Sequence, residues 1–495
     1  MQRERFDVII IGSGAGGSAA AYHLTQTGRR VLLLEKGSSL PKDGSTLDAN
    51  AVLKRGRFLN TERWVDGRGR TTVPEEHFNV GGKTKWYGAA LLRFDPHEFA
   101  AESAHRCLPW PIAHDELAPY YDEAERLLDL RRFPIEPDLR AIATGLARRD
   151  PKWRCHPMPI GLAADIVEHR DEAQHFDGFA SAGGFKSDAE QCLLARLRNK
   201  PNFVLETGRC VAAFTPSPAA ATRIAGVVCA DGTRYEAGNV FLACGALHSP
   251  RLLQTYLETT GLHERLACYG QVGRNYKAHL LSLVIAFSAR PVTDLLCKTA
   301  LLAHESFPHS TVQAIGGNLA EEIVRTQVPG FVPPAVAGFV ARRAYGLFLQ
   351  TEDGSHADNR VRAKAAGSGL PQIDYDPERL PEAAGEHRRL RETLVRQLFS
   401  LGYLPVARAI PITGTAHACG TLVAGHDPAT SVVDADGRVH GLDNLYVVDG
   451  SVLPRSSRVN PALTIYAWAL RVASRLGAKE ASHGRTVARP DPVRA

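Results

Sequence analysis

The sequence predicts a mixed α/β chain. A Rossmann-like dinucleotide-binding domain is joined to a second, discontinuous domain built on an antiparallel sheet. Three observations carry this. A strand, glycine turn, helix, strand and acid follow one another within residues 6–35; dinucleotide-type pieces return near 190–280 and at the C-terminus; sheet-and-loop material lies between them. The expected layout is one domain from 1–110, 190–280 and 415–495 and another from 111–189 and 281–414, with the active site at their join.

The first piece is the most specific. Asp7 to Ile11 reads as a strand buried on both faces, followed by Gly12-Ser-Gly14-Ala-Gly-Gly17, a helix from Ser18, and a second apolar strand, Arg30 to Leu34, ending at Glu35. Gly12 permits the tight turn, Gly14 lets a pyrophosphate approach the backbone, and Gly17 allows close helix–strand packing. The phosphates then lie on the helix N-terminus, where unpaired N–H groups point outward. Glu35 is placed to accept both ribose hydroxyls and would repel a 2′-phosphate, which disfavours NADP. These residues establish dinucleotide binding and leave FAD and NAD both open.

Residues 41–78 read as a solvated, arginine-rich loop or lid. Gly82-Lys-Thr84 has the letters of a phosphate-binding loop, but that loop needs a glycine where His77 stands. A helix is expected over Ala113 to Leu130, and residues 131–190 hold few periodic segments. The runs 202–206, 211–214, 224–229 and 233–235 alternate like antiparallel strands around an Asp231-Gly232 turn, and Val240 to Cys244 returns as a buried strand. Strand-like runs follow at 281–287, 346–350 and 372–375, with helices over Glu382 to Leu401 and Ala462 to Leu476 and a strand at Tyr446 to Val448. The Arg- and Pro-rich tail after Ala478 is expected to fray.

Composition narrows the function classes. With 495 residues, 44% hydrophobic and 23% charged, the chain is ordinary globular protein, and a net charge of +6 does not call for nucleic acid. None of the nine cysteines forms a C-x-x-C pair, so neither a zinc site nor a disulfide framework is expected. No apolar run reaches membrane-spanning length and no leader is recognised, so the expectation is a cytoplasmic protein.

Five blocks in order resemble the glucose–methanol–choline (GMC) oxidoreductases. They are Gly12 to Gly17 with Glu35; Val80-Gly-Gly-Lys-Thr84 through Arg93-Phe94; Cys244 to Pro250 with Leu252-Leu253; Val272-Gly-Arg-Asn275; and His417 to Thr421 through Asn460-Pro461. The resemblance implies FAD, an alcohol-type substrate and a C-terminal catalytic pair, His417 and Asn460. It leans toward the sugar-oxidising branch, similar to pyranose oxidases and sugar dehydrogenases, on the strength of Arg93-Phe94 and Glu352-Asp353. By the same carry-over Gly82, Thr84, Val211, Ala243 and Asp449 join Gly12, Gly14, Gly17, Glu35 and Asn460 as cofactor residues. Trp86 stands where some relatives carry a histidine bonded to the flavin. An indole cannot form that link, so the FAD is expected to be non-covalent.

The implied reaction oxidises a sugar, glycoside or other alcohol to a carbonyl. His417 takes the hydroxyl proton and hydride passes to flavin N5, with oxygen or a quinone- or dye-like acceptor closing the cycle. A GMC-fold lyase using FAD without net redox chemistry, or a simple non-sugar alcohol dehydrogenase, are the alternatives. His304 and His309 do not have zinc-site spacing and are read as surface or loop residues, and Glu352 as a hairpin residue. No metal is expected.

Overall fold

The computed structural model describes residues 5–487 apart from 330, 366 and 412. Strand β1 (Arg5–Ile11), helix α1 (Ala15–Gln26) and strand β2 (Val31–Leu34) form the predicted N-terminal unit. β1 and β2 run parallel with Val8 opposite Val31, and Ile9, Ile10 and all of β2 are buried. Such strands need helices on both faces, because neither face can be left to water. β2 continues the sheet to Phe203–Glu206 and β1 to Arg234–Leu242, which in turn pairs in parallel with Leu445–Val447. The seven-stranded sheet is completed by Val211–Pro216 and Ile224–Cys229.

Two expectations change here. Residues 203–206 are not part of an antiparallel meander: they pair in parallel with β2, because the edge of β2 is the nearer partner. Runs 233–235 and 240–244 are one strand, Arg234–Leu242, whose first residues pair antiparallel with Ile224–Cys229 while its length lies along β1. Local alternation reports strand character but not the partner.

A six-stranded antiparallel sheet packs helices Pro137–Arg149 and Pro381–Ser400 against its apolar face. Its strands are Trp153–Pro157, Leu280–Phe287, Ala300–His304, Ser310–Ala314, Ala344–Thr351 and Leu404–Ala409. The helix Pro137–Arg149 was not foreseen; Leu139, Ile142, Ala143 and Leu146 give it a buried stripe. A small sheet pairs Trp64–Asp66 with Gln372–Asp374, so the 41–78 segment is not wholly solvated: Trp64 is buried against Tyr276 and Val361. The helix from Ala462 packs on α1 and continues to Val487, past the point where the tail was expected to fray; residues 488–495 lie outside the described residues. Among the described residues no helix is long and apolar enough to cross a membrane.

Candidate active site

The turn after β1 is built for a phosphate. Gly12 has φ +100°, and Gly14 caps α1 with no side chain bonded to the first N–H groups, which leaves those donors facing outward. A Cβ on Gly16, a position the sequence reading passed over, would strike the carbonyl of Val448. Gly17 is a packing residue: a Cβ there would meet the Gly12 carbonyl, and it does not reach the cavity wall. Glu35 is buried, accepting from Ser13 N (3.0 Å) and Ser13 Oγ (2.6 Å) on Oε2 and from Gly37 N (2.8 Å) on Oε1. A carboxylate has about four acceptor positions, so one remains for a ribose hydroxyl.

From this turn a cavity of about 820 Å³ runs to the C-terminal block. Nine of the ten expected cofactor residues, all but Gly17, line it, and so does His417. Its length, the glycine turn at one end and the bared helix N-terminus fit a dinucleotide. Not every side chain is free to bind one. The Thr84 hydroxyl donates to Gly81 O (2.6 Å) and accepts from Ala189 N (3.0 Å). Asp449 accepts from Gly245 N (2.9 Å) and Ser451 N (2.8 Å), and burial pushes its carboxyl up against those bonds. Its carboxylate clamps the turns at Gly245 and Gly450. Trp86 stacks on His77 at 4.4 Å and donates its indole N–H to Asn79 Oδ1 (2.9 Å), so the ring is fixed as cavity wall.

At the other end His417 and Asn460 meet: Asn460 Nδ2 lies 3.3 Å from His417 Nε2. Gln313, buried on the strand Ser310–Ala314, donates to Asn460 Oδ1 at 2.6 Å and so turns the Asn460 amide N–H toward the imidazole. His417 Nε2 is then the acceptor nitrogen. Burial, helped by His279, Lys298 and Lys83, holds His417 well below the usual histidine range, so it is neutral and ready to take a proton. His279 packs edge-on to it at 4.9 Å and bonds Ser457 O at 2.8 Å. His279 (φ +61°) and Ser457 (φ +67°) both hold left-handed backbone, a strain that side-chain residues accept where a site is tightly determined.

His304 and His309 differ from expectation. His304 closes a strand, buried on Asp150 (2.9 Å). His309 is buried, with Nδ1 3.1 Å from Glu352 and Nε2 2.9 Å from Glu102. Glu352 is no exposed hairpin residue: it is paired through both oxygens with the equally buried Arg455. Potential metal ligands do gather around His309, with Glu102 and Cys107 or with His105 and Glu386, but its two nitrogens already face carboxylates. This cluster anchors residues 455–458, which lead into Asn460.

Known proteins bear on this geometry. The FAD-dependent oxidoreductase description matches residues 7–272, and the GMC oxidoreductase description matches residues 372–469. Paromamine 6'-oxidase of Streptomyces fradiae is 32% identical over 94% of this chain and 90% of its own. The chain belongs to the GMC oxidoreductases. It is therefore an FAD-dependent oxidoreductase acting on CH–OH groups. A second relative, 6'''-hydroxyparomomycin C oxidase of Streptomyces lividus, is 31% identical over 97% of this chain and 93% of its own. The crystal structure of pyridoxine 4-oxidase from Mesorbium loti superposes with a TM-score of 0.67 at 21% identity, covering 96% of this chain and 99% of that one, and shares the fold.

In this GMC chain the sequence reading missed Ser13, Gly16, His279 and Gln313. His279 lies four residues beyond the Val272 to Asn275 block and could have been found by extending it. Gln313 carries no local signal, since strand pairing delivers it across 147 residues. Replacing Gln313 with Leu frees the Asn460 amide to rotate. The expected result is a fall in kcat of about tenfold, one buried hydrogen bond to the site, with flavin content unchanged by absorbance.

Six histidines of the enzyme are held below the usual range by burial: His23, His248, His279 and His417, with His77 and His387 each at about 4. Unfolding lets each return to the usual value of about 6.5, so the unfolded chain binds more protons as pH falls below it. His309, raised by Glu352 and Glu102 against burial, acts in the opposite sense, as do the carboxyls of Glu98, Asp294 and Asp449 that burial raises, whereas Glu352, held well below the usual range, adds to the six. The unfolding temperature should therefore drop as pH falls from about 6.5 to about 4, which scanning calorimetry across that range checks.

Proposed function

We propose that His417 is the base and Asn460 the oxygen-binding donor of this GMC oxidoreductase, and that the hydroxyl they act on belongs to a sugar or glycoside. The observation that carries the reading is the His417–Asn460 contact at the far end of a cavity that begins at the glycine turn. A contact of 3.3 Å is long, and a substrate hydroxyl entering between the two groups would donate to His417 Nε2 and accept from Asn460 Nδ2. Asn460 then steadies the developing alkoxide without competing for the proton, and the charges of Lys83 and Lys298 favour the same negative oxygen. FAD, held by Gly12, Gly14, Glu35, Gly82, Val211 and Ala243, supplies the two-electron acceptor for the carbon-bound hydrogen. Thr84 and Asp449 line that site with their side chains already bonded to the protein, and Gly17 packs behind it.

The relatives named as oxidases of paromamine and 6'''-hydroxyparomomycin C support the sugar or glycoside assignment. Nine free cysteines support a reducing, cytoplasmic setting. The mixed seven-stranded sheet, drawing strands from 5–34, 203–242 and 445–447, supports one FAD-binding domain from 1–110, 190–280 and 415–495; the six-stranded sheet supports a substrate domain from 111–189 and 281–414. Oxygen or a quinone- or dye-like molecule is the proposed final acceptor. The test is anaerobic mixing of holoenzyme with sugars, glycosides and simple alcohols. Loss of the oxidised flavin absorbance with a sugar or glycoside supports the reading. Release of a carbonyl compound without that loss would assign a lyase instead, and bleaching by simple alcohols alone would remove the sugar.

A further inference from the structure

A second polar group faces the same end of the cavity, and the reaction just described uses only the charge of its lysine. Lys298 Nζ lies 2.7 Å from Asp177 Oδ2, which also accepts from Gly316 N at 2.8 Å. Asp177 is 8% and Lys298 6% exposed, so both charges are withdrawn from bulk water. Both bonds fall on one carboxylate oxygen; Oδ1 has no hydrogen-bond partner among the described residues. Both residues line the cavity with His417, and the Lys298 charge is felt at the imidazole. A Cβ on Gly88 would collide with Asp177 Oδ1 and Lys298 Nζ together, so only glycine lets the ion pair pack this close to the chain on one side while it borders the cavity on the other.

The chemistry of the pair restricts what can sit beside it in the cavity. Oδ1 can only accept a hydrogen bond and Nζ can only donate. A ligand must then donate to Oδ1 and accept from Nζ; a hydroxyl has both capacities, and two neighbouring hydroxyls of a sugar can give one to each atom. A carboxylate would be repelled by Asp177 and an ammonium by Lys298, each in a site poorly screened by water. We propose that Asp177 and Lys298 form a subsite for a neutral vicinal diol of the substrate, placed beside the hydroxyl that His417 and Asn460 receive. The inference rests on the site reading above and names the part of the substrate that gives selectivity.

The first measurement is calorimetric and needs no turnover. FAD-loaded His417→Ala enzyme is titrated with trans-1,2-cyclohexanediol and with cyclohexanol. The diol should bind about ten- to a hundredfold more tightly, the range for hydrogen bonds to charged partners. Adding Asp177→Asn should remove that advantage and leave cyclohexanol binding unchanged. Equal affinity for the two ligands before the second substitution would overturn the subsite. Should Asp177→Asn lose flavin or fold, Lys298→Met in the same background is titrated instead. In otherwise wild-type enzyme, Asp177→Asn should raise KM for a diol-bearing glycoside and leave a deoxy analogue unaffected. A loss confined to kcat, equal for both, would make the pair an electrostatic element only. Failure of every hydroxyl compound to reduce the flavin would sink the parent reading, while the binding comparison would still report on the diol.

Discussion

His417→Ala is expected to lower kcat by about two to four orders of magnitude, the usual worth of a positioned general base, while FAD stays bound. The imidazole lies against the Asn460 amide, and burial holds it neutral across the physiological range. Its removal leaves the glycine turn, Glu35 and the rest of the cofactor wall in place, so flavin content should match wild type. Stopped-flow reduction under anaerobic conditions separates the steps: the reductive half-reaction slows, and reoxidation of chemically reduced enzyme does not. The pH profile adds a signature. In wild type the rate should already be on its plateau at neutral pH and fall only in acid, because protonation of a histidine held below about 6.5 needs lower pH. In the alanine variant that acid limb should vanish. A variant that reduces its flavin at the wild-type rate would remove His417 from the chemistry.

The glycine turn was legible because its chemistry is local: turn, helix N-terminus and acid all lie within residues 12–35, and each residue type has one physical reason to be there. His417 and Asn460 became legible only through resemblance to a family, since a histidine in a glycine-rich turn has many uses. What stayed hidden depends on long-range pairing. Gln313 reaches Asn460 because one strand of the antiparallel sheet passes behind the C-terminal block. Arg234–Leu242 was read as two strands because its pattern changes from an alternating, half-buried start to a fully buried end as its partners change along its length. The limit was sharpest at Glu352, which looks like a hairpin acid until Arg455, 103 residues later, is placed against it.

Glu352→Ala is expected to destabilise the enzyme by about 3–5 kcal/mol, the range for removing one partner of a buried ion pair. Burial alone would push the Glu352 carboxyl up, but the Arg455 and His309 bonds hold it well below the usual range. Glu352 also accepts from Ser457 N (3.2 Å), and His105 donates to its carbonyl at 2.8 Å. Without the carboxylate, the Arg455 guanidinium is left charged where it does not meet bulk water, and burial lowers His309 unopposed by its main partner. Chemical denaturation should report the loss directly. Replacing both partners, Glu352→Leu with Arg455→Met, should recover much of it, since no uncompensated charge remains. Activity should not recover in step. Arg455 and Glu352 hold the backbone that leads through Ser457 to Asn460, so the apolar pair would restore the fold while leaving the amide opposite His417 less well aimed. Stability and kcat should thus separate in the double variant. If kcat instead returned with stability, the cluster would be a packing device, and the aim of Asn460 would depend on Gln313 alone.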